Sequence, residues 1–217
     1  MKVKVCGLTQ PKNIEEVLST SPDMVGFIFH KNSPRMVDEE KLPKWIEEHE
    51  DTFGEIKRVG IFVDAKIAYL LNAVHDFKLD YVQLHGTESP EYCREIQDYW
   101  NFSSIRKAKF IKAFPVDEDF DFSTTLAYEN LCAYFLFDTK TSKPGGSGKK
   151  FNWKILKKYM GLSPFLLSGG IAPEDAAVIK KMNFPQMAGI DINSQFEKKP
   201  GVKDVKLVST FMKDLGR

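Results

Sequence analysis

Two glycine clusters offer the clearest chemistry in this chain: Gly145-Gly146-Ser147-Gly148 and Ser168-Gly169-Gly170. Consecutive residues without side chains let backbone N–H groups close around an anion, most effectively ahead of a helix. Any one such cluster reads equally well as a tight turn, but both follow apolar runs, and a third small polar pair, Asn193-Ser194, does the same. The expected ligand is a phosphate ester. A nucleotide P-loop does not fit, because Gly148-Lys149 is followed by Lys150 where a Ser or Thr is needed. Other apolar runs end on reactive or polar side chains: Cys6, His85-Gly86, Asp138 and Asp191, with Ser33-Pro34-Arg35 following a further run.

These residues need a scaffold that gathers run ends in one place. Short β-branched or aromatic runs lie at Lys2 to Cys6, Met24 to Phe29, Ile56 to Val63, Tyr81 to His85, Phe110 to Phe114, Tyr134 to Asp138, Phe165 to Ser168 and Gly189 to Ile192. Amphipathic segments separate them, for example Ile14, Val17 and Leu18, or Ile67, Leu70, Leu71 and Val74, whose spacing puts one apolar stripe against a sheet. Pro173-Glu174-Asp175 and Ser89-Pro90-Glu91 put proline and acids where a helix begins. Repeated βα units predict an α/β protein, a (β/α)8 TIM barrel forming a single domain over residues 1–217, with short loops because ~250 residues is more usual. An open doubly wound sheet is the competing architecture. It would more often carry a glycine-rich dinucleotide turn after its first strand, and Cys6-Gly7-Leu8-Thr9 is not one. In a barrel the run ends above form the active site, and the loops after strands seven and eight are the frequent phosphate site.

Composition narrows the function further. Thirty-one Lys and Arg nearly cancel 30 Asp and Glu, so no bulk field draws the chain to nucleic acid or anionic lipid. The chain opens directly into a strand pattern and has no apolar run approaching ~20 residues, which predicts a cytoplasmic protein without a membrane partner. Cys6, Cys93 and Cys132 are odd in number and widely spaced, so neither a disulfide framework nor a metal site is expected. Cys93 and Cys132 read as packing residues. Taken alone, Cys6 does too.

In order and spacing, the run ends resemble the phosphoribosylanthranilate isomerase family from end to end. The matching stretches are Lys4-Val5-Cys6-Gly7-Leu8-Thr9, Gly26-Phe27-Ile28-Phe29 with Ser33-Pro34-Arg35, Val59-Gly60-Ile61-Phe62-Val63 and Val82-Gln83-Leu84-His85-Gly86. They continue through Phe137-Asp138-Thr139, Gly145-Gly146-Ser147-Gly148, Leu167-Ser168-Gly169-Gly170-Ile171, Gly189-Ile190-Asp191, and Glu197 with Pro200-Gly201-Val202-Lys203-Asp204. Many relatives carry Ser-Ser followed by glycine after this aspartate, whereas here the run is Asn193-Ser194-Gln195.

The resemblance implies an Amadori rearrangement in tryptophan biosynthesis, without a metal or organic cofactor. An N-linked phosphoribosyl aldose becomes a 1-deoxyribulose phosphate. By carry-over, Cys6 is the base and Asp138 the acid. These roles ask for opposite surroundings: a nearby cation to favour a Cys6 thiolate, and desolvation or a neighbouring anion to keep Asp138 protonated. Arg35 is assigned to the substrate carboxylate through two parallel hydrogen bonds, His85 to a supporting role, and Asp191 to the sugar hydroxyls or the phosphate loop. The phosphate is expected on Gly145, Gly146, Gly148, Ser168, Gly169, Gly170, Asn193 and Ser194. The expected assembly is a monomer or weak homodimer, with association with other tryptophan-pathway enzymes left open.

Three rivals remain. A histidine-pathway isomerase would carry aspartates at the ends of strands one and five, where this chain has Cys6 and Lys112-Ala113-Phe114. A Schiff-base aldolase would use Lys112 as its amine. A catalytically silent phosphosugar-binding barrel would need neither Cys6 nor Asp138.

Overall fold

A computed structural model describes residues 1–102, 104–140 and 150–217. Eight parallel strands close into a barrel in sequence order: β1 (Lys2–Cys6), β2 (Met24–Ile28), β3 (Lys57–Phe62), β4 (Tyr81–Leu84), β5 (Lys109–Val116), β6 (Cys132–Thr139), β7 (Phe165–Leu167) and β8 (Met187–Ile192). Closure comes from β1 against β8, with Lys4 opposite Asp191 and Val5 opposite Ile192. The expected fold is therefore observed, with strand limits shifted by a residue or two. A small antiparallel hairpin follows β8, formed by β9 (Glu197–Lys199) and β10 (Val202–Lys203).

Strand alternation sorts side chains into two cores. Val3 and Val5, Val25 and Phe27, Val82 and Leu84, Phe135 and Phe137, and Ile190 and Ile192 point outward into the layer beneath the helices. Cys6, Met24, Val59, Ile61, Ile111, Ala113, Leu136 and Leu166 fill the interior. The same parity puts Lys4, Gln83, His85, Asp138, Ser168 and Asp191 on the inward face, so the strands deliver the polar run ends to one mouth.

The outer layer holds α1 (Pro11–Leu18), α2 (Leu42–Glu48), α3 (Ile67–Asp76), α4 (Pro90–Phe102), α5 (Ala176–Lys180) and α6 (Val205–Asp214). Helix α1 starts on Pro11, where the missing N–H costs nothing, and buries Ile14, Val17 and Leu18. The helix-start reading at Pro90 holds, while Pro173–Asp175 forms a 3-10 turn leading into α5.

Two crossovers depart from the expected pattern. Among the described residues, the crossovers after β5 and β6 contain 3-10 helices, Phe122–Tyr128 and Trp153–Lys158, and no α-helix. In the first, Thr124 and Thr125 hydroxyls donate to carbonyls three residues back, at 2.7 and 2.8 Å. Such local bonds compete with α-helix formation. This is one place where a short chain completes a barrel with fewer residues.

Candidate active site

Cys6 stands at the end of β1, and its surroundings begin with a neighbour on its own strand. Lys4, two residues back and therefore on the same face, is fully buried, with its ammonium 3.0 Å from Asp191 Oδ2 on β8. Gly26 of β2 faces the thiol, and a Cβ there would lie 2.9 Å from Cys6 Sγ, so the sulfur occupies the space of a missing side chain. Burial is the largest influence on the thiol and pushes it above the ordinary cysteine range; Lys4 and Lys203 pull it down, while Asp191 pushes it up. The expected cation is thus present, but desolvation outweighs it. Asp191 is likewise raised by burial, opposed by Lys4 and reinforced by Asp138. Lys4 is held above its usual range: burial acts to lower it, but Asp191 and Cys6 together prevail. Oδ1 of Asp191 is buried with no hydrogen-bond partner among the described residues.

Asp138, at the end of β6, sits in different surroundings. Its Oδ2 lies 3.4 Å from His85 Nε2, and its Oδ1 accepts from the Thr139 backbone N–H at 2.8 Å. The Gln83 amide, on the same face of β4 as His85, lies 2.8 Å from Nδ1 and fixes the ring. The Asp138 side chain is 30% exposed, so the desolvation expected of it is not found here. Asp138 acts electrostatically on buried Asp191. Asp191 thus links the two groups: it acts on Cys6, and Asp138 acts on it.

Next to Asp138 is the turn after β7. Gly169 and Gly170 adopt φ of 88° and 64°, a region that glycine enters without strain. A Cβ on Gly169 would stand 2.9 Å from Asp138 Oδ1, so this turn passes directly beside the carboxyl group. Ser168, buried, donates its backbone N–H to Phe137 at 2.8 Å. After β8, Ser194 opens a 3-10 turn, and the Asn193 carboxamide oxygen is taken by Lys203 Nζ at 2.7 Å. Gly145, Gly146, Ser147 and Gly148 lie outside the described residues.

Arg35 reaches the mouth from the loop after β2, but its double hydrogen bond is made within the protein. Its Nε and Nη2 meet Glu197 of β9, the shorter contacts being 2.9 and 2.7 Å. Lys203 of β10 donates to Glu197 as well, at 2.7 Å. Glu197 falls below the usual carboxylate range: burial alone would raise it, but Arg35 and Lys203 more than compensate. The fork expected to grip a ligand carboxylate is therefore already half committed, leaving Nη1.

Lys112 belongs to another network. It lies between Ile111 and Ala113, which fill the interior, so it points outward. There its ammonium donates to Gly86 O at 2.7 Å and Glu88 Oε2 at 3.0 Å, bracing the loop that follows His85. That position does not suit an amine nucleophile at the mouth. Cys93 and Cys132 are buried in the outer core, as expected of packing residues.

The sequence reading overlooked Lys4, Gln83, Glu197 and Lys203 as site residues. For Lys4 and Gln83 a signal existed: each sits two residues before a reactive strand end, Cys6 and His85, and strand parity puts each pair on one face. Glu197 and Lys203 stood only within the stretch Glu197 with Pro200-Gly201-Val202-Lys203-Asp204 that resembles the family, and no role followed from it, since a hairpin after β8 is not readable from periodicity.

Comparison with known proteins gives a consistent picture. The family model described as N-(5'phosphoribosyl)anthranilate (PRA) isomerase matches residues 3–214. An N-(5'-phosphoribosyl)anthranilate isomerase of Parabacteroides distasonis is 44% identical over 215 residues, covering 99% of this chain and 93% of its own. The crystal structure of phosphoribosyl anthranilate isomerase from Thermotoga maritima superposes with a TM-score of 0.83 at 31% identity, covering 100% of this chain and 98% of its own. A structure of such an isomerase in complex with reduced 1-(o-carboxyphenylamino)-1-deoxyribulose 5-phosphate superposes with a TM-score of 0.80 at 28% identity, covering 100% and 98%.

Proposed function

Since the chain belongs to the N-(5'-phosphoribosyl)anthranilate isomerase family, we propose that its barrel mouth performs the Amadori rearrangement of that aldose with Cys6 as base and Asp138 as acid. The enzyme is an isomerase of tryptophan biosynthesis, and its phosphoribosyl-type substrate is turned into 1-(2-carboxyphenylamino)-1-deoxyribulose 5-phosphate. The cytoplasm is the compartment this reading implies. The observation that carries the role assignment is that Cys6 and Asp138, from β1 and β6, both interact with one buried carboxylate, Asp191.

In the proposed sequence the Asp138 carboxyl group gives its proton to the furanose ring oxygen. The bond from that oxygen to C1 breaks, and the anthranilate nitrogen supplies the electron pair for a Schiff base. The Cys6 thiolate then takes the C2 proton, and those electrons form the C1–C2 double bond of an enolamine. The enolamine gains a proton at C1 and loses one from the C2 hydroxyl, Cys6 giving up its proton and Asp138 recovering one. No atom or electron is gained or lost.

The open Oδ1 of Asp191 suits a sugar hydroxyl, since a buried acceptor without a donor is costly. The Gly169-Gly170 turn and Ser194 suit the phosphate, and Nη1 of Arg35 suits the anthranilate carboxylate. The test is to form the unstable substrate from anthranilate in situ and add the purified protein. Rapid loss of anthranilate-type fluorescence is expected, and no acceleration over the buffer rate would refute the activity.

A further inference from the structure

We propose that Lys4 is a positioning residue for this reaction: its buried ammonium, shared between Asp191 and the Cys6 sulfur, is the counter-ion that lets Cys6 exist as a thiolate inside the barrel. The inference rests on Cys6 acting as the base.

Cys6 and Lys4 are both buried, and a thiolate moved out of water needs a compensating charge. The charged groups around Cys6 are few. From its own strand comes Lys4; from β8, Asp191; and from β10, Lys203. From β2 comes Gly26, with no side chain. Lys203 is drawn toward Glu197 and Asn193 by bonds of 2.7 Å each, and Glu197 also holds Arg35. Asp138 and His85 act on Asp191 from the other side of the mouth. Lys4 is the largest pull toward the ionised thiol.

Lys4 is not confined to its ion pair. Its Nζ stands 3.0 Å from Asp191 Oδ2 and interacts with the Cys6 sulfur as well. One ammonium thus faces two acids, and how its charge divides between them sets how readily Cys6 ionises. Lys4 touches no reacting atom in this scheme. It acts through Cys6.

The test reads Cys6 ionisation directly. Wild type and variants are treated with iodoacetamide across a pH series, and mass spectrometry follows alkylation of the Cys6 peptide. The acid limb of the kcat profile is measured alongside. In Lys4→Met the midpoint for Cys6 alkylation and the acid limb should both move up by roughly one pH unit or more. Lys4→Arg keeps the charge and should stay near wild type. Lys4→Met leaves Asp191 buried without a counter-charge, so Asp191→Asn serves as a second probe should the first variant not fold. There the midpoint should move down, because Lys4 then faces the sulfur alone. A folded Lys4→Met with the wild-type midpoint, or an Asp191→Asn midpoint unchanged or raised, would overturn the proposal. Failure of the underlying reading is separately visible, as normal turnover in Cys6→Ala.

Discussion

The two sides of the barrel mouth are built on opposite principles. On the β1–β8 side, Cys6, Lys4 and Asp191 are sealed from water, and their behaviour is set by one another. On the β4–β6 side, Asp138 and His85 are about a third exposed, at 30% and 32%, and are oriented by Gln83 and the Thr139 amide. A base that must remove a carbon-bound proton gains from a dry site in which its charge interacts strongly with one cation. An acid that gives a proton to one oxygen of the sugar and recovers one from another depends more on how it is aimed. One pocket thus holds an electrostatically controlled group and a geometrically controlled one.

That contrast can be broken most forcefully at its two poles. Cys6→Ala and Asp138→Asn should each lower kcat by about 10²–10⁴-fold without unfolding the barrel, the range for a lost general base or acid. Steady-state kinetics with circular dichroism would check this, and near-normal turnover in either removes that residue from the chemistry. Next in size is the sealed side's outer support. Glu197→Ala strips the partner from buried Lys203 and from Arg35 and should destabilise the fold by about 3–5 kcal/mol, read from urea unfolding. A loss under 1 kcal/mol would show that this cluster is not an interdependent buried network. On the open side, Gln83→Leu frees the His85 ring and should cost at most about tenfold in kcat, in line with one hydrogen bond. The effect should vanish in an Asp138→Asn background if His85 works through Asp138.

The smallest expected effect concerns stability and pH. An unfolded thiol ionises near 8.5, whereas burial raises folded Cys6 above the ordinary range, so between those two values the folded state binds more protons. Stability from this group is therefore complete below the unfolded value and is lost as pH rises toward the folded one. Wild type should lose more stability between pH 8 and pH 10 than Cys6→Ala does. Equal losses would mean that the thiol is not buried as described.

Most of the fold was legible because strand alternation and helix spacing are local patterns. Each of the eight runs became a strand, since each carries the β-branched or aromatic residues that a doubly covered sheet needs. The crossovers after β5 and β6 were less legible, because Thr124 and Thr125 bond to nearby carbonyls in a way that composition does not announce. In the site, parity was sufficient to bring Cys6, His85, Asp138, Ser168 and Asp191 to one mouth. Burial was not legible to the same degree. The reading asked for either desolvation of Asp138 or an anion beside it, and for a cation beside Cys6; the barrel desolvates Cys6 along with its cation and leaves Asp138 partly in water. Arg35 shows the same limit: its chemistry was evident, but its pairing with Glu197, 162 positions away, depends on how the barrel closes.

The most direct test of the shared pocket is a crystal structure of this protein with a reduced product analogue that cannot rearrange. The account predicts Cys6 Sγ beside the carbon that corresponds to C2, the Asp138 carboxyl group by the oxygen that closed the ring, and the phosphate against the Gly169-Gly170 turn. A ligand seated with its phosphate elsewhere, or with residues 6 and 138 on the same side of the sugar's non-reacting end, would contradict it.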